Sequence, residues 1–141
     1  MLQRPDLFKA VVSHAGVLDM LRFHLYNTAY SWKKEYGSIK DSTEFKNLLK
    51  YSPVHNVKQG VNYPATLLVA SDNDDRVNPF HSFKFLAELQ AKSSGTQPYL
   101  LYYEKDGGHS GSSVLDKRME TKAYIYCFIF KLLGMENKIE Y

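Results

Sequence analysis

Two short stretches carry side chains suited to acid-base chemistry, at a separation that only folding could close. The first is DNDDRV at residues 72–77, a cluster of carboxylates ahead of an arginine. The second is KDGGHSG at residues 105–111, where His109 follows Gly107-Gly108 and precedes a Ser-Gly pair, with almost no bulk to hold it still. An imidazole presented on such a loop can take up and return a proton near neutral pH, and a carboxylate facing its second nitrogen fixes the tautomer and stabilises the imidazolium. Such a pair needs a group to deprotonate. A G-x-S-x-G turn, which would present a nucleophilic serine between a strand and a helix, is absent from the chain. The nearest approach, Gly108-His109-Ser110-Gly111-Ser112, lacks the final glycine and follows the wrong strand, so Ser110 carries little weight.

Both stretches have plainer readings. DNDDRV reads equally as an acidic turn capping the next helix, and Gly107-Gly108 as a pair supplying positive φ to a turn that leaves His109 exposed and idle. His14, His24, His55 and His81 lack a comparable setting and read as surface or satisfied histidines. No pair of them has ligand spacing on a predicted helix face, so neither a metal site nor a cofactor is expected.

The elements that must position these residues alternate between strand and helix, the mark of an α/β layer fold. Strands are predicted at residues 8–13, 65–71 and 98–104; ATLLVAS at 65–71 is apolar on both faces, as a buried parallel strand should be. A helix is predicted from Asp19 to about Tyr36-Gly37, and a second from Asp41 or Ser42 until Pro53 closes it, with Phe45, Leu48 and Leu49 on one face. Pro79 opens a third helix over 79–92. A closing helix over 116–133 is apolar almost all round and should lie against the sheet. The order is β-α-α-β-α-β-α. In open α/β sheets the working residues gather beyond the carboxyl ends of strands. DNDDRV follows the second strand and KDGGHSG the third, and acid then histidine on successive strand exits is the second half of the Ser…Asp…His order of α/β-hydrolases.

Composition bounds the possibilities. The chain has 141 residues, 44% of them hydrophobic, enough for one domain with a real core. A net charge of +3 from 18 basic and 15 acidic residues is small and scattered, so neither nucleic acid nor a membrane surface is an expected partner. The single cysteine, Cys127, excludes an intramolecular disulfide and, within AYIYCFIF, reads as a buried structural thiol. The first residues do not have the form of a signal peptide, and the longest apolar run is too short to span a bilayer. KSSGTQP at 92–98 is a loop rather than a domain boundary, so residues 1–141 are read as one partial domain.

Beyond these features, QRPDLF, GVLDMLRFH, the W-x-x-E-Y-G of residues 32–37, KYSPVHNV, NDDRV-x-P-x-HS-x-KF-x-A-x-LQ and GGH occur in an order that resembles the catalytic-domain sequence of the prolyl oligopeptidase (prolyl endopeptidase) family of serine peptidases. The similarity runs from about Gln3 to Leu133. It implies the C-terminal half of an α/β-hydrolase domain, lidded by a propeller in the full family member and cutting short peptides after proline. By the same resemblance Asp74 is the triad carboxylate and His109 the general base and then general acid. Arg76 is the arginine that donates to a substrate carbonyl, Trp32 the indole against which the substrate proline packs, and Tyr36, Val77 and Val17 are further pocket members.

The resemblance also implies that the family's nucleophilic serine, on a G-G-S-x-G-G turn, and its oxyanion-hole groups fall before Met1. The isolated chain is then expected to be inactive. Lacking the remaining strands and the propeller, it is expected to be sticky, as a homodimer or a swapped oligomer. Two other readings stay open: a related α/β-hydrolase activity, such as an aminoacyl peptidase or esterase, or a non-catalytic binding or assembly module. Cellular location is not determined by the sequence, although full-length relatives are often cytoplasmic.

Overall fold

The computed structural model describes residues 1–135, which form a three-stranded parallel sheet flanked by helices. Its strands are β1 (Ala10–His14), β2 (Ala65–Ser71) and β3 (Tyr99–Glu104), side by side in that order. The helices are α1 (Lys33–Tyr36), α2 (Ser42–Tyr51), α3 (Phe80–Lys92) and α4 (Leu115–Leu133). All seven residues of the central strand β2 are buried, which explains why its sequence is apolar without alternation. Register aligns Ala10 with Ala65 and Ser71 with Glu104, so β2 and β3 end level with each other.

The main core lies on the α3 side of the sheet. There Leu68 of β2 and Tyr99 of β3 meet Phe85 and Leu89 of α3, together with Val54, Val57 and Tyr63. A second cluster gathers Met20, Phe23 and Ala29 around Leu48, the one buried residue of α2; Phe45 and Leu49, expected on the same face, are exposed. Helix α2 starts on a strong cap: Asp41 Oδ1 accepts from the N–H groups of Thr43 at 2.8 Å and Glu44 at 2.9 Å. Asp41→Ala should therefore lower stability by about 1 kcal/mol in chemical denaturation, the usual worth of an N-cap carboxylate.

Several expectations are corrected. The first strand is a half-buried edge shifted two residues on from its predicted start, and not a buried strand. The single helix predicted from Asp19 is instead two 3₁₀ segments, Phe23–Leu25 and Asn27–Trp32, followed by the one-turn α1. Its backbone donors are committed elsewhere. Leu25 N–H, which an α-helix would give to the Leu21 carbonyl, donates to Arg22 O instead, and Thr28 N–H, due to His24 O, donates to the carbonyl of Asp75. A continuous i→i−4 ladder cannot form from donors bound to other partners. Helix α4 does pack against β1 and β2, yet only Thr121 is buried along it. Three strands offer a narrower face than its apolar surface, so Tyr124, Tyr126 and Leu133 stay exposed, and Cys127 is an exposed thiol, not a buried one.

Candidate active site

Because β2 and β3 are adjacent, parallel and level at their carboxyl ends, the loops leaving them must run side by side. Two backbone bonds tie the loops together: Asp72 N–H donates to Glu104 O at 3.2 Å and Asn73 N–H to Gly107 O at 3.0 Å. Asp74 and His109 meet there. The Nδ1 of His109 lies 3.1 Å from Oδ1 and 3.0 Å from Oδ2 of Asp74. A carboxylate only accepts, so it holds Nδ1 as the N–H nitrogen and leaves Nε2 with the free lone pair. The acid is fixed from behind as well, since its Oδ1 accepts from the N–H groups of Arg76 at 2.9 Å and Val77 at 2.8 Å.

Burial differs across the pair. The Asp74 side chain is 2% exposed and that of His109 33%, which shields the carboxylate while keeping the imidazole within reach of solvent. The other acids of the cluster sit differently: Asp75 is exposed, and Asp72 turns one carboxylate oxygen into the interior without meeting the ring.

The glycines work otherwise than by positive φ at residues 107 and 108. Left-handed backbone falls on Asp106 (φ 64°) and Gly111 (φ 86°) instead. Gly107 is small because of close approach: a Cβ there would come within 2.9 Å of the Glu104 side chain and 3.0 Å of Ser71 Oγ. Gly108 and Gly111 exchange both backbone hydrogen bonds, so His109 rides on a tight, closed turn and not a slack one.

The remaining predicted residues fall into two groups. Arg76 and Val77 belong to the Asp74 loop, with Arg76 exposed and Val77 buried. Val17 and Trp32 pack on the second apolar cluster, and the exposed Tyr36 stands edge-on to Phe23 at 5.6 Å. That cluster is joined to the acid loop through Thr28, whose N–H and Oγ1 both donate to the carbonyl of Asp75 at 3.3 and 3.1 Å.

A buried polar hub escaped sequence reasoning. Asp19, expected as a helix cap, is fully buried, pairs with Arg22 at 2.9 Å and Lys84 at 3.7 Å, and offers its backbone N–H to His81 Nδ1 at 3.0 Å. Burial pushes its carboxyl up, but Arg22, His55 and Lys84 outweigh that and hold it below the usual carboxylate range. His81 is satisfied, as expected, and His14 is exposed. His24 is neither: it is buried beside Phe23, its Nδ1 has no partner among the described residues, and burial lowers its pKa. No local pattern signals this hub, because its members come from residues 19, 52, 55, 81 and 84.

A parallel sheet flanked by helices, with an acid and a histidine meeting at adjacent strand exits, defines part of an α/β-hydrolase domain. The model of the prolyl oligopeptidase family matches residues 1–136. The chain is 44% identical over 138 residues to a prolyl endopeptidase of Elizabethkingia miricola, covering 97% of this chain and 20% of that protein. It is also 44% identical over 138 residues to one of Dictyostelium discoideum, covering 95% and 18% respectively. A solved prolyl endopeptidase structure superposes with a TM-score of 0.93 at 40% identity, over 96% of this chain and 20% of that one. The chain belongs to the prolyl oligopeptidase family of serine peptidases, and it spans about a fifth of the length of the relatives it matches.

Proposed function

We propose that this chain supplies the acid-base half of a serine peptidase site that cleaves peptides after proline. The observation that carries the reading is the contact of His109 with Asp74 at 3.0 Å across the exits of β2 and β3. In this reading His109 Nε2 takes the proton from a serine hydroxyl as it attacks the substrate carbonyl and later gives it to the leaving amine. Asp74 keeps the tautomer and balances the imidazolium. The serine comes from polypeptide outside these residues, since no G-x-S-x-G turn occurs within them. The chain alone then has no route to turnover by this mechanism.

The specificity half rests on residues around the second cluster and the acid loop. Trp32 offers an apolar wall to a proline ring, with Val17 and Tyr36 of the same apolar cluster and Val77 of the acid loop as further pocket members, and the exposed Arg76 donates to a substrate carbonyl. Placing the pocket on a cluster bonded to the acid loop through Thr28 links substrate position to the catalytic pair.

The test is a chimera in which this segment replaces its counterpart in the Elizabethkingia miricola prolyl endopeptidase. Chromogenic peptides with proline at the cleavage position should be hydrolysed and arginine-containing ones hardly at all; the opposite preference would discard the proline reading. In the same chimera Trp32→Ala is expected to raise KM for proline peptides roughly ten- to hundredfold, the worth of burying one small apolar ring. An unchanged KM would remove Trp32 from the pocket.

A further inference from the structure

We propose that Glu104 is the positioning residue of the His109 imidazole, its buried carboxylate closing the 105–111 loop on Ser112 so that the ring is held against Asp74. The inference rests on the reading of Asp74 and His109 as the working pair, and adds to it the group that sets their geometry. Glu104 is the last residue of β3 and only 4% exposed. Its Oε1 accepts the N–H of Ser112 at 3.0 Å, so one side chain joins the point where the chain leaves the sheet to the point where the His109 loop returns. Ser112 is itself buried and passes the connection on, its Oγ accepting from Val114 N–H at 3.1 Å at the start of α4. The Glu104 carbonyl, meanwhile, accepts from Asp72 on the acid loop.

The loop is shaped around this carboxylate. A Cβ on Gly107 would sit 2.9 Å from Glu104 Cδ, and one on Gly111 would sit 3.2 Å from Oε2, so glycines on both sides of His109 abut the same group. The second oxygen, Oε2, is buried and has no hydrogen-bond partner among the described residues. Burying a carboxylate with one oxygen unmatched is unfavourable, and an apolar side chain of equal length would fill the space without that penalty. What an apolar side chain could not do is accept the Ser112 N–H. The geometry therefore assigns Glu104 a task in the loop beyond filling volume.

The test uses the 141-residue chain and reads His109 directly by NMR, through its ring ¹⁵N shifts and the exchange rate of its Nδ1 proton, with His109→Gln providing the assignment. Glu104→Met keeps the volume and removes the acceptor; Glu104→Gln keeps an acceptor oxygen. Glu104→Met is expected to turn the fixed Nδ1–H tautomer into a mixture and to speed exchange of that proton about tenfold or more, as fits loss of a hydrogen bond to a charged group. Glu104→Gln should restore the fixed tautomer. A purely structural role would lower the melting temperature of Glu104→Met without moving the ring signals, and that result overturns the proposal, as does a Gln variant disturbed as much as the Met one. Should the Met variant fail to fold, hydrogen exchange on the unaltered chain decides: the Ser112 amide must be protected about tenfold or more beyond those of Ser110 and Ser113, and equal exchange overturns the proposal. An unaltered chain without a fixed His109 tautomer would instead overturn the Asp74–His109 pairing, so the two failures are distinct.

Discussion

Asp74→Asn is expected to lower turnover of proline peptides by about 10⁴-fold in the chimera while leaving the fold and KM nearly unchanged. The size follows from what the carboxylate does. Both of its oxygens face His109 Nδ1, so in the proposed mechanism they fix the ring with Nε2 available as the base. The two backbone bonds from Arg76 and Val77 end on Oδ1, and an amide oxygen can take them over. That leaves the amide NH₂ facing Nδ1, which favours the opposite tautomer and puts the proton on the nitrogen that must accept one. The loop stays bonded while the base is disabled. Steady-state kinetics with a thermal melt of the same protein separates the two effects. A loss of only a few fold would mean that Asp72 or Asp75 reaches the ring during catalysis.

Acidification from pH 7 to pH 4.5 is expected to remove about 2 kcal/mol of stability through His81 alone. Burial pushes the His81 imidazole down from 6.5 to about 4, against the opposing attraction of Asp19 and with a smaller push from Lys84. The neutral ring is required because its Nδ1 accepts the N–H of Asp19, which an imidazolium cannot do. The unfolded chain takes up this proton near pH 6.5, whereas the folded chain resists it until about pH 4. The folded state thus binds fewer protons, and its contribution is complete above pH 6.5 and declines as pH falls from there to about 4. Urea unfolding at pH 7 and pH 4.5 measures the effect, and His81→Gln, which keeps an acceptor oxygen, should flatten it. An equal pH dependence in that variant would place the effect elsewhere.

The arrangement of strands and helices was legible because it depends on local pattern. ATLLVAS is buried on both faces and reads so, and Pro79 marks the start of α3 to within a residue. Where local pattern failed, tertiary bonds had overruled it. Residues 19–36 have helical spacing, but the N–H group of Thr28 binds the carbonyl of Asp75, a partner far along the chain that no window of sequence reveals. Cys127 and its neighbours look like core, yet whether they are covered depends on how much sheet faces α4.

For the candidate site, the sequence by itself determined the kinds of group available and the loops that carry them: acids at 72, 74 and 75 after one strand, a histidine at 109 after the next. It also determined family membership, because an ordered series of motifs along the chain is a property of the string alone. Tertiary structure decided which acid meets the ring, and that Glu104, silent as the last residue of a strand, grips the loop that carries it. The physical reason is register. Two parallel strands ending level bring together groups 35 residues apart, and a shift of one residue would present a different side chain at the same point.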